Sequence, residues 1–261
     1  MNQAELDALA KEYQADQESL AAKLTAWVLA WWTKVDYHAG PSFDAYARKV
    51  RDAHTESIQL ARAFHNASRR AAVPGLGNLP ASNTSAVFLE GALRKNFNTE
   101  TAPLAERGRL DDPDFMAELE SLGKPLSATA AHVAKKGGRE ALANAREADP
   151  EVIGYYRKTD ADPCGFCAML ASRGAAYTED RNTAKAGRKW SDQENPDQYH
   201  PGCNCQVLPL FRGQSMPAED NRKRAEWAQR FKDTPGSGPA QARAFQTAIN
   251  AERKERLAAN G

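Results

Sequence analysis

The sequence predicts an α+β protein that is mostly α: a long N-terminal helical region, a small mixed αβ unit, and a helical tail. Three observations carry this. Apolar residues before Pro150 recur at three- and four-residue steps with almost no strand signal. At Pro150 the composition turns to β-branched and aromatic runs broken by Pro and Gly. All 4 cysteines lie between positions 164 and 205, inside that second stretch. The expected division is 1–149, 150–212 and 213–261.

Residues 2–33 read as one helix, with Leu6, Leu9, Tyr13, Leu20, Leu24, Trp27 and Trp31 along one side. The segment DYHAGPS breaks it, and Ser42 is placed to cap a second helix carrying Phe43, Tyr46, Val50, Ile58, Ala61 and Phe64. VPGLGNLPASN is a loop by its Pro and Gly content. SAVFLEGALRKNF, DDPDFMAELESL and LSATAAHVAKKGGREALANAREA are three further helices, the last weakened by Gly137 and Gly138. EVIGYYRK then reads as a strand. DPCGFCAMLASRG reads as a turn entering a short helix, with Pro163 at its start and Gly174 at its end. AAYT and CQVLPLF are two more short strands, separated by a polar loop over residues 178–199. DNRKRAEWAQRFKD and PAQARAFQTAINAERKERLA follow as two amphipathic helices, the last with alternating charges and few large apolar residues, so that it is expected to be extended or partner-bound.

Bulk composition bounds the function. A chain of 261 residues with 41% hydrophobic and 26% charged residues suits a soluble fold. A formal net charge of +1 argues against a generally basic nucleic-acid binder. No run approaches the roughly 18 apolar residues of a membrane span, and the N-terminus lacks the basic and apolar regions of a signal peptide. The expectation is a cytoplasmic, reducing setting in which stable disulfides are disfavoured.

The cysteine pattern carries the chemistry. Cys164 and Cys167 form a C-x-x-C knuckle; His200, Cys203 and Cys205 form H-x-x-C-x-C. Together they offer five ligands of the soft and imidazole type that suit zinc, where a tetrahedral structural site takes four. One structural Zn2+ per chain is expected. Two disulfides would need an oxidising compartment, and a thioredoxin-type pair would need a βαβ setting and leave the second cluster unexplained. A catalytic zinc would need an open position and a general base, and neither H-E-x-x-H nor H-x-E…P-C-x-x-C is present. His38, His54, His65 and His132 read as surface or packing residues. Among Trp27, Trp31 and Trp32, the first two are expected in the core, with Trp32 turned about 100° from Trp31.

TDADPCGFCAMLASRGAAY followed by YHPGCNCQVLPLF resembles the MuF-like minor capsid, or head morphogenesis, proteins of tailed bacteriophages, in the version found in phages of actinobacteria. The family frame matches Cys167, Gly174, Tyr177, His200, Pro201 and Cys203, with Cys164 and Cys205 as the extra actinophage pair. Asn204 departs from the Arg that often follows the second Cys. The resemblance is strong over about residues 150–212 and one of layout alone before that. It implies a low-copy, non-enzymatic virion component assembled in the host cytoplasm, lying inside the capsid with the portal and capsid proteins as partners. It also brings the packaged DNA within reach, and implies no small-molecule substrate. The protease and toxin fusions known in the family leave no trace here; no G-x-S-x-G is present. A zinc-dependent nuclease and a zinc-ribbon DNA-binding protein stand as the alternatives.

Overall fold

The structure, a computed structural model, describes residues 3–175 and 203–259. Three long helices form the body: α1 (Gln3–Trp32), α2 (Phe43–Ala72) and α5 (Gly123–Ala148). Two short helices, α3 (Glu90–Glu100) and α4 (Pro113–Ser121), cover one end. A two-stranded antiparallel sheet follows, β1 (Val152–Lys158) and β2 (Gln206–Phe211), with α6 (Gly165–Ala171) after β1. The helices α7 (Ala218–Asp233) and α8 (Gly238–Ala259) come last. The expected mostly helical α+β class is what the chain adopts; the AAYT strand and the 178–199 loop fall at or beyond the edge of the described residues.

The α1 stripe expected from spacing is buried from Leu6 to Trp32, but its lower end is turned. Trp32 is the core indole, with its Nε1 donating to the Leu119 carbonyl at 2.9 Å. Trp27 and Trp31 are only partly buried and stack on each other at 5.8 Å. Extending the heptad-like stripe by four from Val28 reaches Trp32, which is why spacing counted from Trp27 and Trp31 selected the wrong ring. Ser42 caps α2 as expected, its side chain accepting from the Ala45 N–H. Asp112 caps α4 in the same way, with Pro113 in the first turn.

Gly137 and Gly138 are where the three long helices meet. A Cβ on Gly137 would lie 2.7 Å from the His54 carbonyl oxygen, and one on Gly138 would lie 2.6 Å from the Ser57 hydroxyl. The Gly138 N–H donates to Ser57 Oγ at 3.0 Å, and Ser57 Oγ donates to Gln17 Oε1 at 2.8 Å. The two glycines weaken α5 by propensity, yet they allow α1 and α2 to close on its backbone.

The third helix begins at Glu90 rather than Ser85. The stretch before it is held extended, with the Ser85 carbonyl accepting from Asn144 Nδ2 at 2.6 Å and Phe88 set edge-on against His54 at 5.3 Å.

The sheet rests on the helical body. Tyr156 of β1 and Leu208 of β2 are paired across the ladder and join Ala10, Tyr13, Ala61, Phe64, Ala141 and Leu142 in one apolar cluster. Tyr13 and Phe64 stack there at 4.7 Å. Apolar contact therefore runs across the 149/150 boundary. Pro209 lies inside β2, opposite Tyr155, a position that the ladder tolerates because, among the described residues, β2 has a partner strand on one side only. The terminal helix is docked: Phe245 and Ile249 of α8 pack with Met169 and Leu170 of α6. Its arginines hold the turn before α6, with Arg253 donating to Asp162 Oδ2 at 3.1 Å and Arg256 to Oδ1 at 2.7 Å.

Candidate metal centre

Each cysteine is placed by the local structure that its neighbours dictate. Cys164 occupies the N-cap of α6, displacing Pro163 to the position before it. Its Sγ accepts from the Cys167 N–H at 3.5 Å, so the first turn of the helix sets the C-x-x-C pair. Cys203 and Cys205 immediately precede β2, and their sulfurs converge on that of Cys167.

The four thiols form a single buried cluster, with exposures of 8% for Cys164, 0% for Cys167, 3% for Cys203 and 1% for Cys205. The sulfurs of Cys167, Cys203 and Cys205 lie within 4.8 Å of one another, and the Cys167–Cys203 pair is 3.5 Å apart. Sulfurs around a tetrahedral ion with 2.3 Å bonds stand about 3.8 Å apart, so this spacing admits a metal ion. All four are free thiols. The C-x-x-C lies between antiparallel strands, unlike the parallel βαβ unit of a thioredoxin-type pair. His200, with Tyr177 and Pro201 of the family frame, lies outside the described residues.

Three cations surround the sulfurs. Lys135 Nζ donates to the Cys203 carbonyl at 2.7 Å and to Asn204 Oδ1 at 2.6 Å. Arg139, one turn further along α5, donates through Nη2 to the carbonyls of Cys203 at 2.6 Å and Cys205 at 3.2 Å. Arg157 of β1 places Nη1 at 3.4 Å from Cys167 Sγ. Asp160 accepts from the Asn204 N–H at 3.3 Å.

This setting splits the thiols. Cys203 is drawn well below the ordinary thiol range, first by hydrogen bonds from the Cys167 and Cys205 thiols and then by the charges of Arg139 and Arg157. Cys167 is pushed up, chiefly by hydrogen bonding with Cys164, Cys203 and Cys205. Burial raises the Asp160 carboxyl, with the Cys203 charge adding to the effect. Burial brings Lys135 down to about 8, with Arg139 contributing.

The cations were not singled out by sequence spacing. Their signal was present: Lys135 and Arg139 flank the double glycine at i and i+4, on the face of α5 that must meet the rest of the fold. Arg157 and Lys158 likewise end a strand whose neighbours are buried.

The family model described as VG15 protein matches residues 1–234. This chain belongs to the VG15 family. The match takes in every helix and strand up to α7, with the whole cysteine cluster. The Gene 15 protein of Mycobacterium phage D29 is 27% identical over 201 residues, which cover 68% of each chain. The Gene 15 protein of Mycobacterium phage L5 is 24% identical over 258 residues, covering 83% of this chain and 82% of the relative. No solved structure matches. The VG15 relatives are phage proteins, and no helix among the described residues is long and apolar enough to cross a membrane.

Proposed function

We propose that this protein is a minor structural component of a tailed-phage head, held at the portal on the inside of the capsid, with one structural Zn2+ that staples its cysteine turns. The observation that carries this reading is the burial of the thiol cluster: none of the four cysteines is more than 8% exposed. A catalytic ion needs a position open to water or substrate, whereas a structural ion is enclosed by its ligands. Membership of a mycobacteriophage family supports a phage setting. The frame of Cys167, Gly174 and Cys203 on which the MuF-like resemblance rests supports the head and the portal in particular. On this reading the chain is not an enzyme; it assembles in the host cytoplasm and ends in the virion beside the packaged DNA.

Zinc suits the residues by donor chemistry: soft sulfurs, a backbone N–H directed at one of them, and cations around them. Bound there, it would tie the α6 turn to the start of β2.

The test is composition and cross-linking of purified virions of a phage carrying this gene. The chain is expected at low copy, cross-linked to portal. Its absence from virions would overturn the head assignment. Zinc-dependent DNA cleavage by the purified protein, abolished by His200→Ala without unfolding, would replace the structural reading with the nuclease one.

A further inference from the structure

We infer that α8 is a positioning element of the metal centre: docked on α6, it holds the Cys164–Cys167 turn in the shape that binds the ion, so that helix and ion strengthen each other. This rests on the metal-staple reading above and extends it to a helix that carries no cysteine.

The need for such a helix comes from the length of α6. Cys164 is its N-cap, Cys167 lies in its first turn, and the helix has 7 residues. Helices shorter than about 12 residues are marginal in water by themselves, so packing rather than propensity sets the spacing of the two cysteines. α8 supplies much of that packing, through Phe245 and Ile249 against Met169 and Leu170. Gln246 adds a contact from Nε2 to Met169 Sδ at 3.2 Å.

A second ground is what α8 does to the turn itself. The first N–H groups of a helix have no partner within it. Asn250 Oδ1 accepts from one of them, the Gly165 N–H, at 2.8 Å. Arg253 Nε donates to the Asp162 carbonyl at 3.0 Å as well as to its carboxylate, which fixes backbone on the other side of Cys164. Between these bonds the two backbones touch. A Cβ on Gly165 would lie 2.4 Å from the Gln246 carbonyl oxygen and 2.5 Å from the Gln246 Cα. Glycine at this one position of the C-x-x-C turn is what lets α8 approach.

The consequence is thermodynamic. A helix that holds the turn in its ion-binding shape raises the affinity for the ion, and the bound ion then favours the docked helix by the same factor. The VG15 match ends at residue 234 and α8 begins at Gly238, so this clamp lies outside the stretch that the family model describes.

The experiment uses full-length protein and reads zinc affinity by competition with a chromophoric chelator. Gly165→Ala improves the helix propensity of α6 and drives a methyl group into the α8 backbone. Asn250→Leu removes the acceptor from the α8 side and keeps the size of the side chain. Each is expected to bind zinc about 10-fold more weakly than wild type, within the usual range of coupling between sites. Asn250→Asp keeps the acceptor, and Lys254→Ala changes an exposed residue of the same helix; both are expected to keep the wild-type affinity. Wild-type affinity in both Gly165→Ala and Asn250→Leu would overturn the inference and leave the staple reading standing. So would a loss in Asn250→Asp or Lys254→Ala equal to that in Asn250→Leu. Should Gly165→Ala and Asn250→Leu not fold, wild type decides by the reciprocal measurement: zinc is expected to slow amide exchange in α8 about 10-fold. Exchange there that is indifferent to zinc would overturn the inference. A wild type that binds no zinc would overturn the inference and the staple reading together.

Discussion

Lys135, in the middle of α5, donates to the backbone carbonyl of Cys203, 68 residues further along the chain, at 2.7 Å. That bond, with the Arg139 bonds beside it, is how the helical body holds the second cysteine turn. Lys135→Met keeps the length of the side chain and removes its donor. It leaves Asn204 Oδ1 without this partner, while Arg139 still serves the Cys203 carbonyl. The expected cost is about 1–3 kcal/mol, the range for losing the partner of a buried polar group. Denaturant unfolding of the metal-loaded protein checks it, and an unchanged midpoint would show the bond to be dispensable.

Two glycines in helices should respond oppositely to alanine. Gly138→Ala puts a methyl against Ser57 Oγ and the Ser57 carbonyl, both under 3 Å from the new carbon. Overpacking of this kind costs about 1–3 kcal/mol, enough to outweigh the gain in helix propensity. A Cβ on Gly91, in the first turn of α3, meets nothing within 4 Å. Gly91→Ala is expected to be neutral or to stabilise by up to about 1 kcal/mol. Thermal melts should show Gly138→Ala lowered and Gly91→Ala unchanged or raised.

This pair shows what the sequence could and could not disclose. Helix spacing and caps were legible: Ser42 stands as N-cap, and the buried series Leu6, Tyr13, Leu20 and Leu24 follows the periodicity. Gly137 and Gly138 were legible only as a local weakness, because their value lies in distances to His54 and Ser57 on another helix. Trp32 escaped for a related reason. Which indole enters the core depends on where α4 and α5 press on α1, and Gly123 leaves room for the Trp32 ring. The cysteine cluster was legible because metal ligands must be particular residue types at short spacing. The cations around it were not, since Lys135, Arg139 and Arg157 join the centre only through tertiary contact. The docking of α8 was missed because two apolar residues, Phe245 and Ile249, suffice when arginines anchor the rest to Asp162.

Removal of the metal should loosen the cysteine turns first. Those turns carry α8 through Asp162 and through the Gly165 N–H, which donates to Asn250 Oδ1 at 2.8 Å. The sheet has a separate hold, because Tyr156 and Leu208 sit in the cluster with Tyr13 and Phe64. A strong chelator is therefore expected to raise amide exchange over residues 159–175 and in α8, while α1, α2 and α5 stay protected. Hydrogen exchange by mass spectrometry gives the map. Uniform deprotection of the whole chain would mean that the metal supports every element at once.

The last expectation concerns acid. His65 is buried on α2, with Nε2 3.0 Å from Asp149 Oδ2 and its ring against Phe211 of β2 at 5.3 Å. Burial holds its pKa below the usual imidazole value despite the Asp149 carboxylate, and Arg69 and Arg146 press the same way. Burial also lowers His54. A folded imidazole that resists protonation binds fewer protons than an unfolded one once the pH drops below the unfolded value of about 6.5. Unfolding then takes up protons, so stability is unaffected by these groups above that pH and falls below it. Each histidine contributes a slope of at most about 1.4 kcal/mol per pH unit until its folded form protonates. Metal release in acid would add to the loss, so the titration is made with chelator present throughout. His65→Gln keeps a donor for Asp149 and cannot titrate; its stability should fall less steeply than wild type between pH 6.5 and 5. Parallel curves for the two proteins in that window would show that His65 protonates as easily in the fold as outside it.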